Sequence, residues 1–149
     1  MENAKKINDQ LVVATNQVTS AQLQQAAKEG FKSVLNLRSP QEEGFLTDEQ
    51  QQAENAGLQY VNIPVQPDKM TDQLADQIIQ QIDQLSKPAL IHCKSGLRSG
   101  AMALMYVAIQ EGMSADAAME KGQEMGFDCS KSPQMKAFFQ SYVSEHSQN

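Results

Sequence analysis

Tryptophan is absent from these 149 residues, and phenylalanine and tyrosine together make up only 5%. The core must therefore rest on Leu, Ile, Val, Ala and Met, and the eight methionines read as gap-filling side chains rather than ligands for a soft metal. Basic charge is also short. Twelve Lys and Arg stand against 18 Asp and Glu, for a net charge of −6. A general nucleic-acid binder needs a basic face, so that class is excluded. The same field repels anions, and any affinity for phosphate or sulfate has to come from a local arrangement. The two cysteines, Cys93 and Cys129, are too few for a disulfide framework. They fit a reducing compartment, the cytoplasm, or the periplasm if a leader has been removed. Apolar runs are short. The longest, Ala101 to Ile109, is far below the roughly 20 residues that span a bilayer, so no membrane partner is expected. Cys93, Cys129 and His92 lack metal-ligand spacing, and neither a metal nor an organic cofactor is expected.

At 40% hydrophobic, a chain of this length supports one well-buried core. We expect a single domain over residues 1–149, with a polar, frayed segment at 1–9. Leu11 to Val13 reads as a short strand. Thr19 with Gln22 forms a capping-box pattern for a helix ending at Gly30, and Thr47 with Gln50 repeats it for a helix ending at Gly57. Phe31 to Leu37 and Leu58 to Val65 read as strands. Thr71 opens an amphipathic helix with Leu74, Ile78, Ile82 and Leu85 on one stripe. Ala89 to His92 is a strand, and Arg98 to Gln110 is apolar on nearly every side, as a buried central helix would be. Ser114 and Pro133 open two more helices. Strands alternating with helices predict an α/β fold, a mainly parallel central sheet flanked by helices on both faces.

The most informative stretch is His92-Cys93-Lys94-Ser95-Gly96-Leu97-Arg98-Ser99-Gly100. It joins the Ala89 strand to the apolar helix, so its cysteine faces a helix N-terminus and a ring of free backbone amides. A thiol of pKa ~8.5 falls to ~3.5–7.5 in such a place, so Cys93 is expected to be a thiolate nucleophile. Lys94, Ser95, Gly96, Leu97 and Ser99 would supply amides to an anion. Gly96 would let the backbone turn tightly, and Arg98 would offer a bidentate fork to two oxygens. Ser99 could hydrogen-bond the sulfur, and His92 fixes the loop more than it titrates. Arg38 is expected to pair with Glu42 or Glu43 in a structural role.

His-Cys, a glycine-containing loop and Arg-Ser resemble the phosphate loop of the protein tyrosine and dual-specificity phosphatases. Gly30 to Arg38 and Tyr60 to Val65 resemble strands of that superfamily's sheet. Within it, residues 10–112 are most similar to a bacterial branch, the beta-lactamase-hydrolase-like phosphatase-like domains. The resemblance implies a phosphatase that hydrolyses phosphoric monoesters through a phosphocysteine. Its substrate would be a phosphorylated small molecule or a phosphoprotein. Asp68 is the best positional match for a general acid, with Asp72 second. One departure stands out. The phosphatases place five residues between Cys and Arg, and here Lys94 to Leu97 are four. That spacing resembles the rhodanese sulfurtransferases, and a smaller ring suits a persulfide better than a phosphoryl group. Sulfur transfer through Cys93, or anion binding without catalysis, are the alternatives. The residues do not specify an oligomeric state.

Overall fold

The computed structural model describes residues 4–15, 17–66, 69–94, 96–127 and 133–146. Five strands form one sheet in the order β1-β2-β5-β3-β4. They are β1 (Ala4–Lys6), β2 (Leu11–Ala14), β3 (Ser33–Asn36), β4 (Gln59–Asn62) and β5 (Ala89–His92). All pairs are parallel except β1 with β2. The predicted α/β architecture with a mainly parallel, helix-flanked sheet is therefore the observed one.

The N-terminal expectation needs correction. Residues 4–9 are not frayed: β1 and β2 form a hairpin in which Lys6 pairs with Val12. Asn8 closes the turn, its side-chain oxygen accepting from the amides of Gln10 (2.8 Å) and Leu11 (2.9 Å). A buried Ile7 anchors it. An Asn side chain that replaces a backbone acceptor is what lets a polar segment hold a turn.

Among the described residues six helices cover the sheet: α1 (Ser20–Lys28), α2 (Glu49–Asn55), α3 (Asp72–Gln84), α4 (Leu97–Glu111), α5 (Ala115–Glu124) and α6 (Pro133–His146). The Thr19–Gln22 capping box is present in both directions. The Thr47–Gln50 box is not. The α2 helix begins at Glu49, after Asp48, which makes no side-chain cap. Glu49 is instead drawn inward to the buried His92 and the half-buried Gln17, and this sets where the helix starts.

Two cores lie on opposite faces of the sheet. The smaller, with Val18, Leu23, Ala26, Val34, Ala53 and Leu90, packs α1 and α2. The larger joins α3, α4, α5 and α6 through Ile78, Ile82, Leu104, Phe139 and Val143, among others. Helix α4 runs through the larger core with Ser99 to Ala108 all buried, as its unbroken apolar sequence predicted. Every residue of β5 is buried, as suits a central parallel strand. The strand is inserted between β2 and β3, where the strand order reverses. The loop that leaves its C-terminal end opens at the crevice where such sheets place ligands.

Phe127 fixes the start of α4. A Cβ built at Gly100 lies 2.5 Å from the Phe127 ring, and one at Gly122 lies 3.1 Å from the Phe127 carbonyl oxygen. Gly100→Ala is therefore expected to lower stability by about 1–3 kcal/mol through overpacking, despite the gain in helix propensity. A chemical-denaturation midpoint at or above that of the wild type would show that the ring does not press on this turn.

Candidate active site

Cys93 immediately follows β5, and α4 begins four residues later. The connection turns at Gly96, whose φ of +91° lies in the left-handed region. A Cβ there would also come within 3.1 Å of Thr15 Cα, so both conformation and space demand glycine. The turn brings the Gly96 amide back to the Cys93 sulfur, to which it donates at 3.2 Å. The sulfur is thus fully buried and lies under the first turn of a 15-residue helix. An amide donor and the helix dipole both favour negative charge at that point.

Arg98 reaches back over the same turn. Its Nη1 donates to Glu42 Oε2 (2.5 Å) and to the Val65 carbonyl (3.0 Å), with a longer contact to the Leu37 carbonyl (3.5 Å). Its Nη2 donates to Glu42 Oε1 (2.9 Å). The end-on fork is therefore taken by a carboxylate, while the side-on edge of Nε and the second Nη2 proton meets no oxygen acceptor among the described residues. That edge is the one a tetrahedral anion would use. Burial works against the guanidinium charge, but the Glu42 pairing and the neighbouring Cys93 sulfur outweigh it, and the Arg98 pKa is raised.

Glu42 is the hinge of this arrangement. Besides Arg98 it accepts from the Ser39 amide (2.6 Å) and from Arg38 Nε (3.2 Å). Hydrogen bonding by Arg98, opposed by partial burial and reinforced by Ser39 and Arg38, lowers its pKa to about 2. Arg38 itself is buried, and its remaining donors grip the carbonyls of Glu43 (2.6 Å) and Gly44 (3.2 Å) and the Gln17 side chain (2.6 Å). The structural pairing expected for Arg38 is thus present, and it also shapes the loop that presents Glu42.

His92 points to the other face of the sheet. Its Nε2 lies 2.5 Å from Glu49 Oε2, and both side chains are buried. Ser99 Oγ is buried with no hydrogen-bond partner among the described residues, so the expected contact with sulfur is not made in this state. Lys94 is exposed, and Leu97 is half-buried. Ser95, Asp68 and Cys129 lie outside the described residues. Among the described residues no three His, Cys, Asp or Glu side chains gather as a metal site, and no helix is long and apolar enough to cross a membrane.

Sequence reasoning brought Cys93, Gly96, Arg98 and Ser99 to one place and missed two carboxylates. Glu42 was assigned to Arg38 alone, although it also binds Arg98. Glu49 carried no signal beyond its place near a helix start.

A cysteine-bearing loop between the central strand and a buried helix, with an arginine folded over it, defines a protein of cysteine-phosphatase-like architecture. Residues 3–110 match the family described as "Beta-lactamase hydrolase-like protein, phosphatase-like domain", and the chain belongs to that family. It is 29% identical over 150 residues to the beta-lactamase hydrolase-like protein of Agrobacterium fabrum, covering 91% of this chain and 35% of that one. The chain thus spans about a third of the length of the curated relatives it matches. Among solved structures, a DUF442 protein of Shewanella putrefaciens CN-32 superposes with a TM-score of 0.84 at 21% identity, covering 98% of this chain and 94% of the other. TpbA of Pseudomonas aeruginosa, solved in complex with phosphotyrosine, gives 0.80 at 19% identity, covering 97% of this chain and 87% of that one. At these identities the structures establish the shared fold.

The lowered Glu42 pKa sets a pH window. A carboxyl moved from 4.5 to about 2 on folding contributes its full stabilisation above the higher value and loses it as the pH falls toward the lower one. The Tm advantage of the wild type over Glu42→Gln is expected to be largest above about pH 5 and to vanish toward about pH 2. A difference that stays constant across this window would show that ionisation of Glu42 is not its source.

Proposed function

We propose that this chain is a cysteine-dependent hydrolase of phosphoric monoesters. One contact carries the reading: the Gly96 amide donating to a Cys93 sulfur that sits at the N-terminus of α4 beside Arg98. In the proposed reaction Cys93 Sγ attacks phosphorus in line, an S–P bond forms, and the ester P–O bond breaks. Arg98, through its side-on edge, and the loop amides of Lys94 to Ser99 stabilise the equatorial oxygens. Asp68 is the acid assigned to protonate the leaving oxygen. Water then adds to phosphorus, the S–P bond breaks, and inorganic phosphate leaves with the thiolate restored. Ser99, whose hydroxyl has no hydrogen-bond partner among the described residues, is assigned to donate to the departing sulfur. The substrate class is an aryl phosphate, free or on a phosphoprotein, in keeping with the phosphotyrosine bound by TpbA.

Two observations favour a second reading. Only four residues separate Cys93 from Arg98, and the sulfur has no exposed surface. A tighter, enclosed ring suits one added sulfur better than a phosphoryl group with its ester. In that reaction Cys93 attacks the outer sulfur of thiosulfate, the S–S bond breaks, sulfite leaves, and the resulting persulfide passes its terminal sulfur to an acceptor thiol.

Paired assays decide between them. Hydrolysis of para-nitrophenyl phosphate is expected in the wild type, abolished in Cys93→Ser, and reduced about 10²–10³-fold in Arg98→Lys, which keeps the charge and loses the fork. Absence of phosphate release together with a mass gain of one sulfur after thiosulfate establishes the sulfurtransferase. Neither activity, with sulfate still bound, leaves an anion-binding module.

A further inference from the structure

We propose that Glu43 makes the candidate site selective for a phosphoryl group with a cation beside it, namely phosphotyrosine flanked by lysine or arginine. The assignment rests on the hydrolase reading above and names its substrate more closely.

The parallel strands β2 to β5 end on one edge of the sheet. The segments that follow them come together at the Cys93 loop. Gly96 lies against Thr15, and Arg98 reaches the carbonyls of Leu37 and Val65. The arginines of this edge are mostly spent. Arg38 is buried, with Glu42, Gln17 and two carbonyls on its donors. Arg98 has its end-on fork on Glu42. A phosphoryl group therefore meets one guanidinium edge and the loop amides. Among the described residues of these loops and helix starts, the exposed charges are Lys69 and Lys94 against Glu43, Asp48 and Asp72. The rim is net acidic, and it repels any negative charge a substrate carries beyond the phosphate itself.

Two of these carboxylates have a local reason for their place. Asp48 and Asp72 stand at the starts of α2 and α3, where a helix dipole favours them. Glu43 has no such reason. It sits in a loop, and its exposed carboxylate meets no hydrogen-bond or ion-pair partner among the described residues. Its main chain is nonetheless gripped. The Glu43 carbonyl accepts from Arg38 Nη2 at 2.6 Å and the Gly44 carbonyl from Nη1 at 3.2 Å, while Gly44 turns the chain at a φ of +85°. The residue before it, Glu42, is bound to Arg98 itself. Neighbouring Cα atoms are about 3.8 Å apart, and an extended peptide advances about 3.3–3.6 Å per residue. With a Debye length of about 8 Å at physiological ionic strength, the Glu43 charge acts on residues one or two places from a phosphotyrosine held on Arg98.

The test uses two phosphotyrosine peptides that differ only in having lysine or glutamate on both sides of the phosphotyrosine. Phosphate release gives kcat/KM for each with wild type, Glu43→Gln, Glu43→Lys and Glu111→Gln. Glu111 is exposed at the far end of α4, about 20 Å from the loop by the rise of the helix, and its substitution changes net charge as Glu43→Gln does. The wild type should favour the lysine peptide about fivefold at low ionic strength, with the ratio falling toward one in about 0.5 M salt. Glu43→Gln should cut the ratio about threefold, Glu43→Lys should invert it, and Glu111→Gln should leave it as in the wild type.

A wild-type ratio of one or below, or a ratio that Glu43→Gln leaves unchanged, overturns this assignment. So does an equal fall in Glu111→Gln, because net charge is then the cause, and so does a failure to hydrolyse either peptide. Release of phosphate from para-nitrophenyl phosphate that depends on Cys93 keeps the hydrolase reading standing in each of these cases. No phosphate from any of the three substrates overturns both. Glu43→Gln removes no side-chain contact among the described residues, so it carries the test if Glu43→Lys fails to fold.

Discussion

The bidentate pair between Glu42 and Arg98 holds the candidate site together. One carboxylate binds guanidinium groups from two distant parts of the chain, Arg38 after β3 and Arg98 in the first turn of α4. Arg98 also takes the carbonyls of Leu37 and Val65, where the chain leaves β3 and β4. Two strand ends, a surface loop and the N-terminus of a buried helix thus converge on a single planar group. A guanidinium in such a position is a liability without its counterion, because the carbonyl dipoles alone do not balance it. With Glu42 in place its end-on edge is saturated and its orientation fixed, which leaves the other edge aimed rather than free to wander.

The central strand divides the chemistry in two. On the α4 side stands the sulfur among apolar neighbours, one amide and the Arg98 guanidinium. On the α1 and α2 side stand His92, Glu49, Gln17 and Tyr60, where Glu49 accepts from Gln17 and pairs with His92 Nε2 while His92 Nδ1 is buried with no partner among the described residues. The two environments are joined by the backbone of β5 and by a chain of side chains that runs from Arg98 through Glu42, Arg38 and Gln17 to Glu49. A parallel strand buried on both faces is the natural place for such a division, because period-two alternation sends adjacent side chains to opposite sides.

Much of this was legible in the sequence. Alternating strands and helices, two capping threonines and an unbroken apolar helix led to the right sheet and the right position for Cys93. These features are local, and local patterns survive into the fold. The failures share one cause. The Thr47 capping box was displaced because Glu49 found partners 43 and 32 residues away, at His92 and Gln17. Glu42 was seen as a neighbour of Arg38, four residues off, and not as the partner of Arg98, 56 residues off. Nothing in spacing or composition announces contacts made across a sheet. The β1 hairpin was missed for a different reason: Ala4 to Lys6 has no apolar alternation and is held by backbone pairing and the Asn8 turn.

The enclosure of Cys93 has a consequence for the life of the protein in an oxidising milieu. A thiolate is the form that peroxide and disulfides attack, and its exposure decides how fast they do so. This sulfur is sealed beneath its own loop, so damage requires the same opening that admits a reactant.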